Sequence, residues 1–332
     1  MAPVALTMGE PAGIGGEIAL KAWRRRINGV PPFFAIDDPD RLRALAARLG
    51  MAVPVTAIAA PGDAQAVFPT ALPVLPQALA VAVPPGHPDP ANTPAVRESI
   101  ARAVEFARAG AVAAVVTNPI HKAVMYQGGF NFPGHTEFLA HLLDLEGREV
   151  MMLTCPGLRV VPATIHVSLA DAIRSLSREM VVAAGTVTAR ALERDFGIPR
   201  PRLAVAGLNP HAGEDGAMGR EEIDVIAPAV AALRNAGIDA VGPLPPDTMF
   251  HARARAGYDA ALCMYHDQAL IPVKTIDFDA GVNVTLGLPI VRTSPDHGTA
   301  LALAGTGAAN ETSLVAALRT AAEIAANRVG HG

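Results

Sequence analysis

The 332-residue chain has few cysteines and no long uninterrupted apolar run, and both shortages limit what kind of protein it can be. Its two cysteines, Cys155 and Cys263, form no CxxC motif and are too few for a disulfide framework. We therefore expect buried, reduced thiols in a cytoplasmic protein. The apolar stretch 67–83 is interrupted by three prolines, short of the roughly 18 to 20 apolar residues that a membrane helix requires. We expect no membrane span.

A strong charge of either sign is also absent. With 27 Lys and Arg against 31 Asp and Glu, the net charge of −4 gives no reason to expect nucleic acid or an acidic membrane surface as a partner. The chain opens on the strand-like run PVALTM, without a basic region followed by an apolar core, so we expect no export. A small-molecule ligand is the better prediction.

Apolar runs and helical patterns alternate along most of the chain. Residues 3–8, 111–116 and 203–208 have the pattern of buried strands, whereas Thr93 caps a predicted helix that stops at Gly110. This alternation predicts an α/β fold with mostly parallel sheets. The length of 332 residues favours two domains.

A glycine-rich turn, Gly9–Gly16, joins the first predicted strand to the first helix and offers backbone N–H groups to an anion. It matches neither common nucleotide-binding motif, because the third glycine of GxGxxG would fall at Ile18 and no GK[ST] follows. A phosphate-binding turn and a purely structural tight turn both stay open.

Three histidines, His166, His211 and His266, each follow a separate apolar run. In a parallel sheet such positions share one edge, so we expect the side chains to be close in space although they are far apart in sequence. Three neutral imidazoles suit a divalent ion such as zinc, cobalt or manganese and leave coordination positions for a substrate. A single histidine at a strand end is more often a hydrogen-bonded loop residue, but three with the same placement favour a metal site.

Cationic side chains are expected at similar loop positions. Lys274 and Arg292 have apolar flanks, and His135 and the pair His121-Lys122 add further donors. A guanidinium binds phosphate or carboxylate through two hydrogen bonds, and an ammonium binds either as a point charge. We therefore predict a small phosphorylated acid as the ligand, with solvated surface charges as the alternative.

Several long motifs occur in the order MGEPAGIGGE, TNPIHK, PGHTEFLA, GLNPHAGEDGAMGREE, GPLPPDT, MYHDQ and GVNVTLGLPIVRTSPDHGTALALAG. Together they resemble the 4-hydroxythreonine-4-phosphate dehydrogenase family of the pyridoxal phosphate pathway, over nearly the whole chain. This resemblance implies functional residues at the matching positions. The implied metal ligands are His166, His211 and His266. The implied substrate-binding residues are His135, Thr136, Lys274, Asn283 and Arg292. The implied cofactor-binding residues are Asp296, His297, Gly298, Thr299, Ala300 and Asn310.

The implied fold is that of isocitrate and isopropylmalate dehydrogenases, with two α/β/α domains. The first domain would comprise residues 1–130 and 288–332 and carry the cofactor loop. The second, residues 131–287, would carry the metal ligands and the dimer interface. The family further implies a homodimer that shares its metal sites, with His266 facing His166 and His211 of the partner subunit.

The implied reaction is oxidation of 4-phosphohydroxy-L-threonine at its 3-hydroxyl by NAD or NADP, with zinc, magnesium, cobalt or manganese as the metal. Decarboxylation then yields 3-amino-2-oxopropyl phosphate. Lys274 is the first candidate for the general base and Asp247 the second, since a lysine desolvated beside a metal can lose its proton near neutral pH. The alternatives are a related dehydrogenase of 4-phospho-D-threonate or D-erythronate 4-phosphate, and a non-catalytic metal- and phosphate-binding protein.

Overall fold

The computed structural model describes residues 2–145, 147 and 149–330. The strands, in chain order, are β1 Val4–Thr7, β2 Phe33–Asp37, β3 Val55–Ala57, β4 Leu72–Pro76, β5 Ala114–Val116, β6 Val150–Cys155, β7 Leu158–Pro162, β8 Arg202–Ala206, β9 Asp239–Leu244, β10 Ala260–Cys263, β11 Val282–Leu286 and β12 Arg292–Pro295. The helices are α1 Gly15–Arg24, α2 Pro39–Arg48, α3 Ala64–Val67, α4 Thr93–Arg108, α5 Lys122–Gln127, α6 His135–Leu142, α7 Leu169–Ser175, α8 Arg178–Phe196, α9 Ala227–Asn235, α10 Ala252–Arg255, α11 His266–Ile276 and α12 Thr312–Gly330.

The chain divides into two compact units, and each is an α/β structure. The first unit runs to Glu149 and resumes over Leu288–Ala326, and the second covers Val150–Gly287 and the chain from Asn327. The predicted α/β class with mostly parallel sheets is therefore confirmed. Within the described residues, no helix combines the length and apolar character needed to cross a bilayer.

The first unit has a parallel sheet in the order β3-β4-β2-β1-β5-β12. Its central strand β1 pairs with β2 on one side and β5 on the other, and all four of its residues are buried. Ile100 and Val104 of α4 pack into the core against Phe34 of β2. Burial on both faces explains why these strands read as continuous apolar runs in the sequence.

The second unit has a sheet in the order β11-β6-β7-β10-β8-β9. From β7 to β9 neighbouring strands are parallel, whereas β6 is antiparallel to both β7 and β11. The hairpin between β6 and β7 turns at Gly157, whose φ is +79°. These antiparallel pairings make the sheet mixed at one end.

The compact units divide the chain at other positions than the predicted domains, since the first unit extends to Glu149 instead of residue 130. Residues 131–149 belong to the first unit, because Phe138 and Leu139 of α6 are buried in its hydrophobic core. The chain end also differs from the prediction, since Arg328 of α12 forms an ion pair with the buried Asp195 of the second unit. The second unit ends at Gly287 and the first resumes at Leu288.

The loop position predicted for Lys274 is also wrong, because this residue lies in the last turn of α11. The helix contains Pro272, a residue that normally disrupts a helix interior since it lacks an N–H donor. Ala269 and Val273 of α11 are completely buried. Tertiary packing therefore stabilises a helix that local sequence preference does not predict.

Candidate active site

The sheet of the second unit brings the three histidines to one edge. His166 follows β7, His266 follows β10 and His211 follows β8, and these strands are neighbours in the order β7-β10-β8. All three strands run parallel, so their carboxyl ends lie at the same side of the sheet. Side chains from three distant parts of the sequence are thereby placed on adjacent loops.

His166 and His266 are direct neighbours within one chain. Their ring centroids are 5.8 Å apart, and both line a cavity of about 210 Å³. The loops that carry them are tied together, since the Thr164 hydroxyl donates a hydrogen bond of 2.8 Å to the Met264 carbonyl. His266 Nδ1 lies 2.7 Å from the Asp267 carboxylate. No second subunit is needed to bring these two imidazoles together.

His211 lies on a strained loop, the 3₁₀ segment Pro210–Gly216. His211 and Glu214 both have positive φ, at 53° and 44°, a backbone region that non-glycine residues rarely adopt. His211 Nδ1 is 2.8 Å from Glu214 Oε2, and this hydrogen bond raises the pKa of His211, with Asp247 adding to the effect. A carboxylate on one imidazole nitrogen orients the ring and leaves the other nitrogen for a ligand. Strain of this kind is concentrated at functional sites.

Glu222 and Gln268 hold the loops of the site and were not predicted from the sequence. The buried Glu222 carboxylate accepts N–H hydrogen bonds from Leu208 and Asn209, both at 2.7 Å, at the start of the His211 loop. The buried Gln268 of α11 donates to the Gly207 carbonyl at 2.7 Å and accepts from Met264 N–H. Their motifs, GREE and MYHDQ, were noted as family signatures, but nothing local distinguished these two residues.

The donor chemistry of the site partly fits a divalent metal ion. Neutral imidazoles are ordinary ligands of zinc and similar ions, and His166 and His266 already form a close pair. However, within residues 2–145, 147 and 149–330, no group of three or more His, Cys, Asp or Glu side chains is arranged to hold a metal. Two of the three predicted ligands are thus assembled, and His211 is presented on the neighbouring loop.

In the first unit, Arg292 is the first residue of β12 and is only 3% exposed. Its Nη2 donates a 2.7 Å hydrogen bond to the Thr117 hydroxyl at the end of β5. Burial lowers the pKa of Arg292 to about 10, and the negative charge of Glu137 partly opposes this shift. The guanidinium therefore stays charged at neutral pH, in a desolvated position where an anion is bound strongly.

His135 and Thr136 begin helix α6 in the same unit. Burial lowers the pKa of His135 well below its usual value, and the positive charges of Arg292 and Lys122 lower it further. The imidazole is therefore neutral at physiological pH. Its Nε2 is buried and has no hydrogen-bond partner among the described residues. A buried polar atom of this kind calls for a partner, which a bound ligand can supply.

In the second unit, Lys274 and Asn283 are partly buried. The Lys274 ammonium lies 5.1 Å from the centroid of the Phe278 ring. Asn283 belongs to β11, and its buried Oδ1 accepts no hydrogen bond from the described part of the chain. Asp247, the second candidate for the general base, is exposed on a 3₁₀ turn after β9.

The predicted cofactor loop, Asp296–Ala300, packs against the glycine-rich turn of the first unit. The Thr299 carbonyl accepts a 3.0 Å hydrogen bond from Ile14 N–H. A Cβ at Gly13 would lie only 2.9 Å from this carbonyl oxygen, so Gly13 is required for the close approach. The turn therefore has a packing role at Gly13. Asn310 Oδ1 accepts from Thr312 N–H at the start of α12.

These two α/β units, with a histidine-rich sheet edge and a buried cationic site, define an enzyme of the α/β class. The chain belongs to the family described as pyridoxal phosphate biosynthetic protein PdxA, whose model matches residues 30–321. The family predicted from the sequence motifs is thereby confirmed.

Individual relatives agree with this assignment. The 4-hydroxythreonine-4-phosphate dehydrogenase of Methylorubrum populi is 58% identical over 330 residues, which cover 97% of this chain and 94% of that protein. The crystal structure of the Klebsiella pneumoniae 4-hydroxythreonine-4-phosphate dehydrogenase superposes with a TM-score of 0.89 at 39% identity, covering 98% of this chain and all of that one. A terephthalate 1,2-cis-dihydrodiol dehydrogenase from Burkholderia xenovorans is more distant, with a TM-score of 0.65, 30% identity and coverage of 96% and 97%.

Proposed function

We propose that the protein is a dehydrogenase that oxidises 4-phosphohydroxy-L-threonine at the 3-hydroxyl with NAD or NADP. The resulting β-keto acid loses carbon dioxide to give 3-amino-2-oxopropyl phosphate, a step in the formation of pyridoxine 5'-phosphate. The observation that carries this proposal is the 58% identity, over nearly the full length of both chains, to a dehydrogenase that is named for this substrate. We also propose a cytoplasmic location.

The substrate-binding residues in this proposal are His135, Thr136, Lys274, Asn283 and Arg292. Arg292 supplies a desolvated positive charge, and the charge-assisted hydrogen bonds of a guanidinium match the oxygens of a phosphate or carboxylate. Neutral His135 supplies one further hydrogen bond through its buried Nε2. The amide of Asn283 offers a second buried polar atom, Oδ1, as an acceptor.

His166, His211 and His266 are proposed to hold one divalent ion, zinc, magnesium, cobalt or manganese. Such an ion would lower the pKa of the substrate hydroxyl and stabilise negative charge on its oxygen in both the oxidation and the decarboxylation. Glu214 and Asp267 would orient the His211 and His266 rings through their Nδ1 atoms. The dinucleotide, which accepts the hydride, would be held by the loop Asp296–Ala300 and by Asn310.

Lys274 is our first candidate for the general base, and Asp247 is the second. Lys274 is partly buried on α11, the helix that starts at His266, whereas Asp247 is exposed. Lys274→Met and Asp247→Asn separate the two candidates. Loss of the base lowers kcat, whereas a rise in KM alone would show that Lys274 binds the substrate without catalysing the reaction.

The test of the main proposal is to mix the purified protein with a divalent metal, NAD or NADP and substrate, and to follow the absorbance of the reduced nicotinamide. We expect turnover of 4-phosphohydroxy-L-threonine that a chelator abolishes and added metal restores. Robust activity only on 4-phospho-D-threonate or D-erythronate 4-phosphate would overturn this substrate assignment. The structural similarity to a terephthalate dihydrodiol dehydrogenase supports considering a different substrate, since one architecture is found in dehydrogenases that act on different substrates. No turnover of any phosphorylated acid would favour a binding protein.

We further propose a homodimer that shares each metal site between its subunits. The family resemblance is the support for this arrangement. Among the described residues of one chain, His166 and His266 are neighbours and no set of three ligands is assembled, so in this proposal the partner subunit completes the ligand set.

A further inference from the structure

We propose that the Glu137 carboxylate binds the ammonium group of the substrate and thereby determines which phosphorylated acid the protein accepts. This inference rests on the proposed function, because it takes 4-phosphohydroxy-L-threonine as the substrate. 4-Phospho-D-threonate, one of the alternative substrates, differs from it at C2, where a hydroxyl replaces the ammonium. A site that prefers the first compound needs a group that recognises this positive charge.

Glu137 lies on the helix that also carries two of the proposed substrate-binding residues. Helix α6 begins with His135, and Glu137 falls in its first turn, where it is half-buried. Its side chain turns back over the buried Gly134, since a Cβ at Gly134 would lie only 3.3 Å from Glu137 Oε2. The carboxylate is therefore at the same end of α6 as His135 and Thr136.

Two cationic side chains are neighbours of Glu137, but neither forms an ion pair with it. A Cβ at Gly134 would also lie 3.9 Å from Lys122 Nζ. The negative charge of Glu137 acts on the buried Arg292, whose pKa it raises against the effect of burial. Among the residues that the structure describes, Glu137 accepts no hydrogen bond and forms no ion pair. Its carboxylate is therefore available to a cationic group of a ligand, as a charge-assisted acceptor.

Four other described carboxylates near the predicted site residues already have partners. Glu214 and Asp267 each lie against the Nδ1 atom of an imidazole. Glu222 accepts backbone N–H groups at the start of a neighbouring loop. In the first unit, Glu10 is buried in the glycine-rich turn and accepts a backbone N–H there. Glu137 differs from these four because its carboxylate is not used within the protein.

An acidic residue in the first turn also stabilises a helix in its own right. Its negative charge interacts favourably with the partial positive charge at the helix N-terminus. This effect is the same whichever ligand is bound, so it produces no selectivity between an ammonium and a hydroxyl. A measurement of selectivity therefore separates the structural role of Glu137 from the proposed binding role.

The experiment compares the dissociation constants of 4-phosphohydroxy-L-threonine and 4-phospho-D-threonate, measured by calorimetry with zinc present and dinucleotide absent. We expect the wild type to bind the first compound at least roughly ten-fold more tightly, the effect of one charge-assisted hydrogen bond. Glu137→Gln removes the charge and keeps the shape, so it should lose roughly ten- to hundred-fold in affinity for this compound. Its affinity for 4-phospho-D-threonate should stay unchanged or rise, which also shows that the variant is folded.

Two further variants complete the comparison. Glu105→Gln is the control, because Glu105 is exposed on α4 of the same unit, and it should keep the wild-type ratio of the two dissociation constants. Glu137→Asp keeps the negative charge but withdraws it by one methylene, and it replaces Glu137→Gln if that variant fails to fold. It should show a smaller preference for the ammonium compound than the wild type, with unchanged affinity for 4-phospho-D-threonate.

The outcomes separate this inference from the proposed function. If the wild type oxidises 4-phosphohydroxy-L-threonine with NAD while the Glu137 variants keep the wild-type ratio, the ammonium site is overturned and the proposed function stands. An equal loss of affinity for both compounds would also overturn it, because Glu137 would then support only the structure of α6. A ratio that changes in Asp247→Asn alone would assign the ammonium to Asp247 instead. If the wild type does not oxidise 4-phosphohydroxy-L-threonine, the proposed function itself fails.

Discussion

Glu222 and Asn209 are joined by two hydrogen bonds, one from Asn209 N–H to Oε1 at 2.7 Å and one from Asn209 Nδ2 to Oε2 at 2.9 Å. Glu222 is only 3% exposed and begins the π-helical turn Glu222–Ile226, a distortion frequent at functional sites. Its carboxylate thus fixes the entry to the left-handed loop that presents His211. A Cβ at Gly213 would lie 2.6 Å from Glu222 Oε2, so the loop is also packed tightly over this carboxylate.

Replacement of Glu222 is predicted to loosen the His211 loop. Glu222→Ala leaves the part-buried N–H donors of Leu208 and Asn209 without an acceptor, at about 1 kcal/mol or more for each group, so we expect a loss of at least about 2 kcal/mol in urea unfolding. Zinc affinity, measured by competition with a chromogenic chelator, should fall as well. Asp224→Ala is the control, because its ion pair with Arg220 is exposed and contributes about 0–1 kcal/mol. Unchanged zinc affinity in Glu222→Ala would show that the loop geometry does not support metal binding.

Gly9 and Gly50 offer a matched test of close packing at the glycine-rich turn. Both have positive φ, +68° and +62°, so alanine at either position costs about 1–2 kcal/mol in backbone strain. A Cβ at Gly9 would in addition lie 2.6 Å from Asn118 Cβ, whereas Gly50 has no atom within 4 Å of that position. We expect Gly9→Ala to lower the free energy of unfolding by about 1–3 kcal/mol more than Gly50→Ala. Equal losses would mean that the turn can move away from Asn118.

The strand ends could be predicted from the sequence, but the loop conformations could not. Buried parallel strands have a simple signature, and His166, His211 and His266 follow such strands, so their common sheet edge was predictable. The left-handed backbone at His211 is stabilised by distant contacts, above all by Glu222, and leaves no local signature. Helix α11 was missed for a related reason, since Pro272 argues against a helix that packing nevertheless stabilises.

The residues proposed to bind the substrate showed the same limit. Arg292 was predicted from its apolar flanks, and it is indeed buried. Asn283 and Thr136 were named only through the family resemblance, because an amide or a hydroxyl in a strand or helix is common in any protein. Burial lowers the pKa of His135 most, and the charge of Arg292, which lies far away in sequence, lowers it further. No local sequence pattern reports either effect.

The pKa of His135 makes a pH-dependent contribution to stability. Burial, Arg292 and Lys122 lower this pKa in the folded state, so below about pH 6.5 the unfolded chain binds a proton that the folded protein does not. Stability therefore falls as pH drops through that value. We expect His135→Gln to reduce the slope of unfolding free energy between pH 7 and pH 5, measured in urea at several pH values. An NMR titration should show the His135 ring still neutral at pH 6, and a ring already protonated there would contradict the prediction.

Both cysteines are free and buried in the structure, as predicted from the sequence. Burial raises the pKa of Cys155 to about 11, with Asp277 adding to the shift, and burial alone raises the pKa of Cys263 further. The reactive species of a thiol is its thiolate. We expect no reaction of the folded protein with Ellman's reagent at pH 8, and reaction of two thiols after unfolding in urea. A thiol that reacts quickly in the folded state would contradict this burial.

The proposed sharing of the metal site can be tested by mixing subunits that carry His166→Ala, His211→Ala or His266→Ala. In a shared site, one subunit supplies two of the three histidines and the other subunit supplies the third. In two of the three pairwise mixtures the two mutated histidines therefore normally come from different subunits, and one site of each mixed dimer keeps all three ligands. Those mixtures should regain about one quarter of wild-type activity and metal content, because half of the dimers are mixed and each has one intact site. The 5.8 Å separation of His166 and His266 in one chain indicates that one subunit supplies both, so the mixture of His166→Ala with His266→Ala should regain no activity.

If no mixture regains activity, each site is built within a single subunit and sharing is excluded. If the His166→Ala and His266→Ala mixture does regain activity, these neighbours serve different sites, and the arrangement implied by the family resemblance, with His266 facing His166 of the partner subunit, would hold.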